Sequence, residues 1–147
     1  MEELLRIIMQ RWNSDEGGRG REHCPGGLWL GEAVQEVVDD GKTYCVLQVL
    51  DGGFGDTFTS RIEMPMLQFG IFATSEKSKE QDNPAWIVRD DIVAVFDDAL
   101  LEMEDDANKK DRRMIQMRRQ GFGNLIKDPE QGWNCFIQYQ CQFTFEK

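Results

Sequence analysis

Histidine occurs only once in this sequence, and this scarcity excludes most catalytic and metal-binding motifs. The single histidine, His23, stands beside Cys24, and no Cys-x-x-Cys pair occurs in the 147 residues. Zinc sites need clustered Cys and His, and hydrolases need a base set against a nucleophile. The glycine-rich segments 17–20 and 52–55 do not lie between a strand and a helix, which excludes a phosphate-binding loop. The sequence therefore predicts no catalytic residue, no cofactor and no metal.

Long apolar runs are also lacking. The longest run near the N-terminus is Ile7–Met9, whereas a membrane-spanning helix needs about 18 apolar residues. We therefore expect no membrane segment and no signal peptide, and a chain made in the cytoplasm that stays there unless something carries it out. The four cysteines are far apart in sequence and are predicted to be free thiols, mostly buried: Cys24, Cys45, Cys135 and Cys141.

Positive charge is scarce, with 17 Lys+Arg against 27 Asp+Glu and a net charge of −10. This balance argues against general binding to duplex DNA, because such binding relies on neutralising phosphates. Six of the 17 positive charges lie between residues 109 and 119. That basic segment follows an acidic one, so it suits either a phosphate or an acidic neighbour on this or another subunit.

What the sequence does contain is a pattern of helices and strands sufficient for one domain over residues 1–147. Apolar spacing predicts a short N-terminal helix over 2–13, and glycines predict mobile loops over 14–27 and 51–57. Strands are predicted at 28–30, 44–50 and 58–74, the first at a sheet edge and the last two paired as an antiparallel hairpin. Pro65 places the start of the last strand at an edge or a bulge.

The second half is predicted to hold one long helix and two strands. Asn83-Pro84 is typical of a helix start, and apolar residues at helical spacing extend the predicted helix to Glu104. Strands are predicted over 113–127 and 133–145, while 31–43 fits either a helical turn or a loop. The order α-β-β-β-α-β-β predicts a single α+β domain with a mostly antiparallel sheet and the long helix on one face.

Paired aspartates are the remaining polar feature. They occur at 39–40, 90–91, 97–98 and 105–106. Such pairs bind a hard cation when other ligands complete the site, but on a helix adjacent residues point about 100° apart. The pattern is more typical of a solvated helix face.

The segment from Phe58 to Ala73, FTSRIEMPMLQFGIFA, resembles the central strand of the tail terminator, or tail-completion, proteins of long-tailed bacteriophages. The likeness continues through Val95–Leu101, VFDDALL, and the arginine-rich strand around Met117-Arg118-Arg119. It ends with Lys127-Asp128-Pro129 and a final strand that opens at Trp133 and has Tyr139 near its middle. It covers about residues 28–146. One departure is that no proline precedes Tyr44 in 31–43, where many relatives have a proline-rich approach to the hairpin.

The resemblance implies a minor tail protein of the virion, made in the host cytoplasm, whose subunits form a ring, usually a hexamer. Such a ring caps the tail tube, stops its polymerisation and offers a surface for head-tail joining. The implied partners are further copies of the chain, the major tail tube protein and a head-tail connector protein. DNA would pass through the lumen without specific binding.

Within such a ring, some residues are expected at subunit interfaces and others in the lumen. The candidate interface residues are Trp29, Phe54, Phe58, Arg118 and Arg119, since aromatic residues and arginine often anchor interfaces. Asp97 and Asp98 are the candidates for negative charge in the lumen. Two alternatives stay open: another neck component, such as a connector or head-completion subunit, and a small cytoplasmic metal-dependent enzyme that uses aspartates.

Overall fold

The structure, a computed structural model, describes residues 2–39, 41–56, 61–73, 83–102, 112–123, 125–128 and 132–146. Its helices are α1 (Glu2–Asn13), a 3₁₀ turn (Asp15–Gly17), α2 (Gly18–His23), α3 (Gln35–Asp39) and α4 (Pro84–Phe96). Its strands are β1 (Leu28–Leu30), β2 (Tyr44–Asp56), β3 (Arg61–Ala73), β4 (Leu100–Glu102), β5 (Arg112–Phe122), β6 (Ile126–Asp128) and β7 (Gly132–Glu146). The predicted α+β class is confirmed.

The strands form one seven-stranded sheet in the order β1-β2-β3-β7-β5-β4, with β6 also paired to β7. β1 runs parallel to β2, and the other pairs are antiparallel. The hairpin of β2 and β3 and the edge position of β1 agree with the sequence predictions. β3 and β7 lie at the centre, so the segment that carries the resemblance contributes a central strand.

The hydrophobic core lies between one face of the sheet and the helices α1 and α4. Alternate strand residues such as Phe69 and Ile137 are fully buried there, as the period of two predicts. Phe69 packs against Phe96 of α4 with ring centroids 5.1 Å apart. Arg11 at the end of α1 donates from Nε to the Val95 carbonyl at 2.8 Å, which joins the two helices. We call the opposite face of the sheet the open face.

The predicted loop over 14–27 is wrong, because residues 15–23 form the 3₁₀ turn and α2. The glycines that suggested mobility are instead packing positions, since Gly17 and Gly20 are buried against Trp12. Arg21 secures the turn by donating to the Ser14 carbonyl at 2.6 Å and to the Trp12 carbonyl. The N-terminal helix itself is confirmed.

The predicted loop over 51–57 is also wrong for residues 51–56, which continue β2. The ladder with β3 accommodates the glycines through a register shift between Leu50 and Gly53. Pro65 stands opposite this shift, which confirms the predicted bulge. Residue 57 lies outside the described residues.

The long helix ends at Phe96 and not at Glu104. The Asp97 backbone is extended and Asp98 has a φ of 54°, a left-handed conformation that aspartate tolerates better than most residues. Leu100 then pairs with Gln116 as β4, with Leu100 57% exposed and Leu101 5% exposed. The predicted helix start is confirmed, because the Asn83 side chain accepts the Ala85 N–H at 3.0 Å.

Two other regions differ in detail from the sequence predictions. The strand predicted over 113–127 is two strands, β5 and β6, with a register shift between Arg119 and Gly121. The open interpretation of 31–43 resolves into α3 and a turn at Gly41, whose φ is 67°. The final strand is confirmed as β7. Among the helices described, none is both long and apolar enough to traverse a bilayer.

Candidate functional site

Three side chains meet at the turn after α4. Asp97 Oδ1 accepts a hydrogen bond from the buried Tyr139 hydroxyl at 3.1 Å and lies 3.5 Å from Arg119 Nε. Burial, together with the Asp97 carboxylate, raises the pKa of the Tyr139 hydroxyl. A candidate lumen residue and a candidate interface residue therefore contact each other within one subunit.

Asp98 lies next in the chain but in a different environment. Its side chain is exposed, and its left-handed backbone turns the chain away from α4 toward β4. Of the two candidate lumen aspartates, Asp98 is thus the one on the surface, while Asp97 is partly buried in an ion pair.

The candidate aromatic anchors lie near the edge strand β1 and in the hairpin. Trp29 in β1 is half-buried and donates from Nε1 to the Gly26 carbonyl at 2.7 Å. Phe54 belongs to β2, and Phe58 lies outside the described residues. The structure therefore places two of these three aromatics in the strands at one side of the sheet.

Arg118 lies on the open face, which is rich in glutamine. Its guanidinium is 3.4 Å from Gln116 Oε1, and Gln138 donates to Gln68 at 3.1 Å across the central strands. Toward β2 the face becomes aromatic, with the Tyr44 and Phe72 rings stacked at 5.1 Å. Segment 31–38 closes over part of this patch and leaves a cavity of about 260 Å³, lined by Val38, Tyr44, Val46, Phe72 and Phe136 among others.

The sheet ends in two short strands that cover their neighbours incompletely. β1 pairs with β2 from Cys45 to Leu47, so in the described structure no strand flanks the outer side of residues 48–56. We call this segment the β2 edge. β4 pairs with β5 from Met114 to Gln116, and no described strand flanks the outer side of residues 118–122. We call this segment the β5 edge.

An apolar groove runs along the start of the β2 edge. It has a volume of about 450 Å³ and is lined by Leu5, Leu30, Gly31, Leu47, Gln48, Val49 and Leu50. Leu30 is 46% exposed and Val49 is 39% exposed, so apolar surface faces solvent beside an unflanked strand. An unflanked strand presents backbone donors and acceptors that another extended chain satisfies.

The groups considered for catalysis and metal binding are dispersed. His23 Nδ1 lies 2.6 Å from Asp91 Oδ2, an ion-pair geometry that links α2 to α4. Cys24 and Cys45, distant in sequence, have sulfurs 3.6 Å apart in the core, and burial raises the pKa of the Cys45 thiol. Over the described ranges, no three His, Cys, Asp or Glu side chains come together as a metal site. All four cysteines are buried free thiols, as predicted.

The sequence predicted β1 at a sheet edge, but it did not predict the uncovered β2 edge or the β5 edge, because strand order is not a local property. A signal was available in the lengths of the predicted strands, since a three-residue strand at 28–30 is too short to cover a partner starting at residue 44 and continuing into the hairpin. No protein-family model matches the chain, and no curated protein matches it.

Proposed function

We propose that this chain is a structural subunit of a long-tailed bacteriophage: a tail terminator whose copies assemble into a ring, a hexamer, on the end of the tail tube. The observation that carries the proposal is the pair of incompletely covered edges on opposite sides of one sheet. A subunit with two different open edges is suited to head-to-tail association, which generates a ring when the rotation between neighbouring subunits closes.

Three features support the tail assignment in particular. The described part of the resembling segment is β3, at the centre of the sheet. The VFDDALL segment forms the end of α4 and the acidic turn, and the arginine-rich segment pairs with that turn through Arg119 and Asp97. The segments that carry the resemblance are thus joined by contacts in one structural unit, and in the proposed role they are architectural.

In the proposed role, the ring caps the tube and prevents addition of further tube subunits. Its opposite side offers the surface to which a head-tail connector protein attaches, and DNA crosses the lumen without specific binding. The net charge of −10 suits this passage, because acidic surfaces repel phosphate. The protein would be made in the host cytoplasm and reside in the virion.

The decisive experiment is a stop codon in this gene within its phage or prophage. We expect tails of uncontrolled length and unjoined heads, seen by electron microscopy, with normal particles restored by the gene supplied in trans. Tails of normal length that fail to join would instead indicate another neck component. Light scattering on the purified chain, alone and with tail tubes, should show a ring, and a strict monomer that binds Mg²⁺ or Mn²⁺ tightly would contradict the proposal.

A further inference from the structure

We propose that the β2 edge of one subunit pairs with the β5 edge of the next, so that the sheet continues across each subunit boundary. This inference rests on the proposed ring and names the contact that builds it. The occupant of the open β2 edge is thus a second copy of this chain, and the two surfaces are the β2 edge with its apolar groove and the β5 edge.

The backbone of β2 shows which groups await a partner. The Cys45 N–H donates to the Gly27 carbonyl and the Leu47 carbonyl accepts from the Gly31 N–H, both at 2.9 Å, so odd-numbered residues of β2 direct their backbone groups toward β1. Backbone groups of alternate residues in a strand point the same way. Val49 therefore directs its N–H and carbonyl outward, at the point where β1 has ended.

The groove beside Val49 favours an extended chain as the partner of the β2 edge. Leu5, Leu30 and Leu47 line this groove, and Leu30 is 46% exposed. A strand added beyond Leu30 would shield part of this apolar surface from solvent while its backbone pairs with Val49. Such strand addition combines main-chain hydrogen bonds with side-chain pockets.

The β5 edge supplies the strand that would pair with the start of the β2 edge. The Met117 N–H donates to the carbonyl of Ala99, the residue before β4, at 3.0 Å, and beyond Met117 no described strand pairs with the outer side of β5. The next four residues, Arg118 to Gly121, are all exposed although they belong to a strand paired with β7 on its inner side. They offer an accessible strand at the side of the sheet opposite β2.

Charge favours joining these two edges over joining two copies of the same one. Residues 48–56 contain two aspartates and no basic residue. Residues 118–122 contain two arginines and no acidic residue, and one of the arginines, Arg119, also lies 3.5 Å from Asp97 of its own subunit. Opposite charges across a contact attract and fix its register, while like charges at a β2–β2 or β5–β5 contact repel.

The position of the edges then determines the kind of assembly. Because they lie on opposite sides of one sheet, each subunit uses both, and the same contact repeats around the assembly. Contacts of this kind form a ring when the rotation between neighbours closes, as the proposed function requires, whereas pairing of two β2 edges would stop at a dimer.

The test blocks each edge separately. Val49→Pro removes the outward N–H at a position where the backbone does not face β3, and Val49→Ala is the matched control that retains it. Arg118→Glu combined with Gln120→Glu puts acidic charge on the β5 edge, and Arg118→Lys is its control. We expect both blocked variants to be folded monomers by circular dichroism and thermal melting, while the two controls form rings, alone or on added tail tubes.

Mixing the two blocked variants gives the sharper result. Each retains one good edge, so the equimolar mixture should sediment as a one-to-one dimer and nothing larger. Rings formed by V49P at the wild-type concentration would overturn the edge pairing and leave the proposed function standing, and so would a mixture that stays monomeric at tenfold higher concentration. A wild-type chain that forms no ring even on tail tubes would overturn the proposed function. Should V49P fail to fold, Leu30→Lys puts a charge in the exposed lining of the same groove and is expected to give the same monomer.

Discussion

At the scale of single residues, the Tyr139 hydroxyl is a polar group in a fully buried side chain whose hydrogen bond goes to Asp97. This hydrogen bond joins two residues 42 positions apart, so no local sequence pattern predicts it. Hydrogen bonds to a charged acceptor contribute more to stability than neutral ones. Asp97 therefore helps to hold the sheet in place whatever it does in an assembly.

Replacing this tyrosine tests that role. We expect Tyr139→Phe to lower the free energy of unfolding by about 1.5 kcal/mol, because the carboxylate loses a donor in a partly buried place. Urea denaturation followed by tryptophan fluorescence measures it. Tyr44→Phe is the matched control: Tyr44 is also buried, and in the described structure its hydroxyl has no hydrogen bond, so its loss should change stability little. Equal effects of the two substitutions would contradict the assigned role of Asp97.

The buried thiols predict how stability depends on pH. Burial raises the pKa of Cys141 from an ordinary 9.0 to about 12, so the folded state holds this proton more tightly than the unfolded state. A raised pKa contributes stability that is complete below about pH 9 and is lost as the pH rises toward about 12. Between pH 8 and 10.5 the deprotonation of this single thiol in the unfolded state should lower the free energy of unfolding by on the order of 2 kcal/mol.

The measurement compares urea unfolding of the wild type and Cys141→Ala at these two pH values. Cys141→Ala should be less stable than the wild type at both pH values, because the substitution leaves a cavity. The decrease in its free energy of unfolding from the lower to the higher pH should, however, be smaller than that of the wild type. Cys135, whose pKa burial raises to about 11, stays in both proteins and contributes equally. Parallel losses in the two proteins would contradict the assignment to Cys141.

At the scale of elements, the sequence predicted strands better than it predicted where helices begin and end. The alternation in β3 and β7 is strong because each strand has one buried and one open face. The end of α4 was mistaken because Ala99 and Leu100 continue the helical spacing, while the actual stop depends on the left-handed backbone at Asp98. Such a stop is set by the pairing of Leu100 with β5, a contact distant in sequence.

The glycines after α1 also show that local sequence does not determine the role of a residue in packing. Glycine is read as a sign of flexibility, yet here it permits close packing. A Cβ on Gly20 would lie 2.6 Å from the Trp12 ring, and one on Gly18 would meet nothing nearer than Arg21 at 3.8 Å. Sequence reasoning had no way to separate these two positions, because the difference depends on the fold of α2 against α1.

A matched pair of substitutions tests this packing. Gly20→Ala should destabilise the protein by about 2 kcal/mol, since Trp12 is 2% exposed and must shift to admit a methyl group. Gly18→Ala, two residues earlier in the same helix, should be neutral or stabilise by up to about 1 kcal/mol, because alanine favours helix more than glycine does. Thermal melting of both variants measures the difference. Similar melting temperatures would show that residues 15–23 do not pack on α1 as described.

At the scale of the whole molecule, the candidate site was only partly within reach of the sequence. Composition and spacing identified the charged residues Arg118, Arg119, Asp97 and Asp98. Strand order brings Arg119 into contact with Asp97 and places the two edges on opposite sides of the sheet. No local sequence pattern predicts strand order. The proposed subunit interface therefore consists of the β2 edge, the β5 edge and the apolar groove, whereas the sequence had suggested aromatic anchors.

The structure also separates the two aspartates predicted to line the lumen of the proposed ring. Asp98→Lys reverses an exposed charge once per subunit, so a ring of this variant should bind duplex DNA roughly tenfold more tightly at low salt, with stability unchanged. Asp97→Lys should instead destabilise the fold, because it puts a cation beside Arg119 and takes the acceptor from Tyr139. Fluorescence anisotropy of a labelled duplex measures the binding. Glu22→Lys, an equal charge change at another exposed position, is the control. If E22K rings bind DNA as tightly as D98K rings, then overall charge decides the passage of DNA and Asp98 has no special place in the lumen.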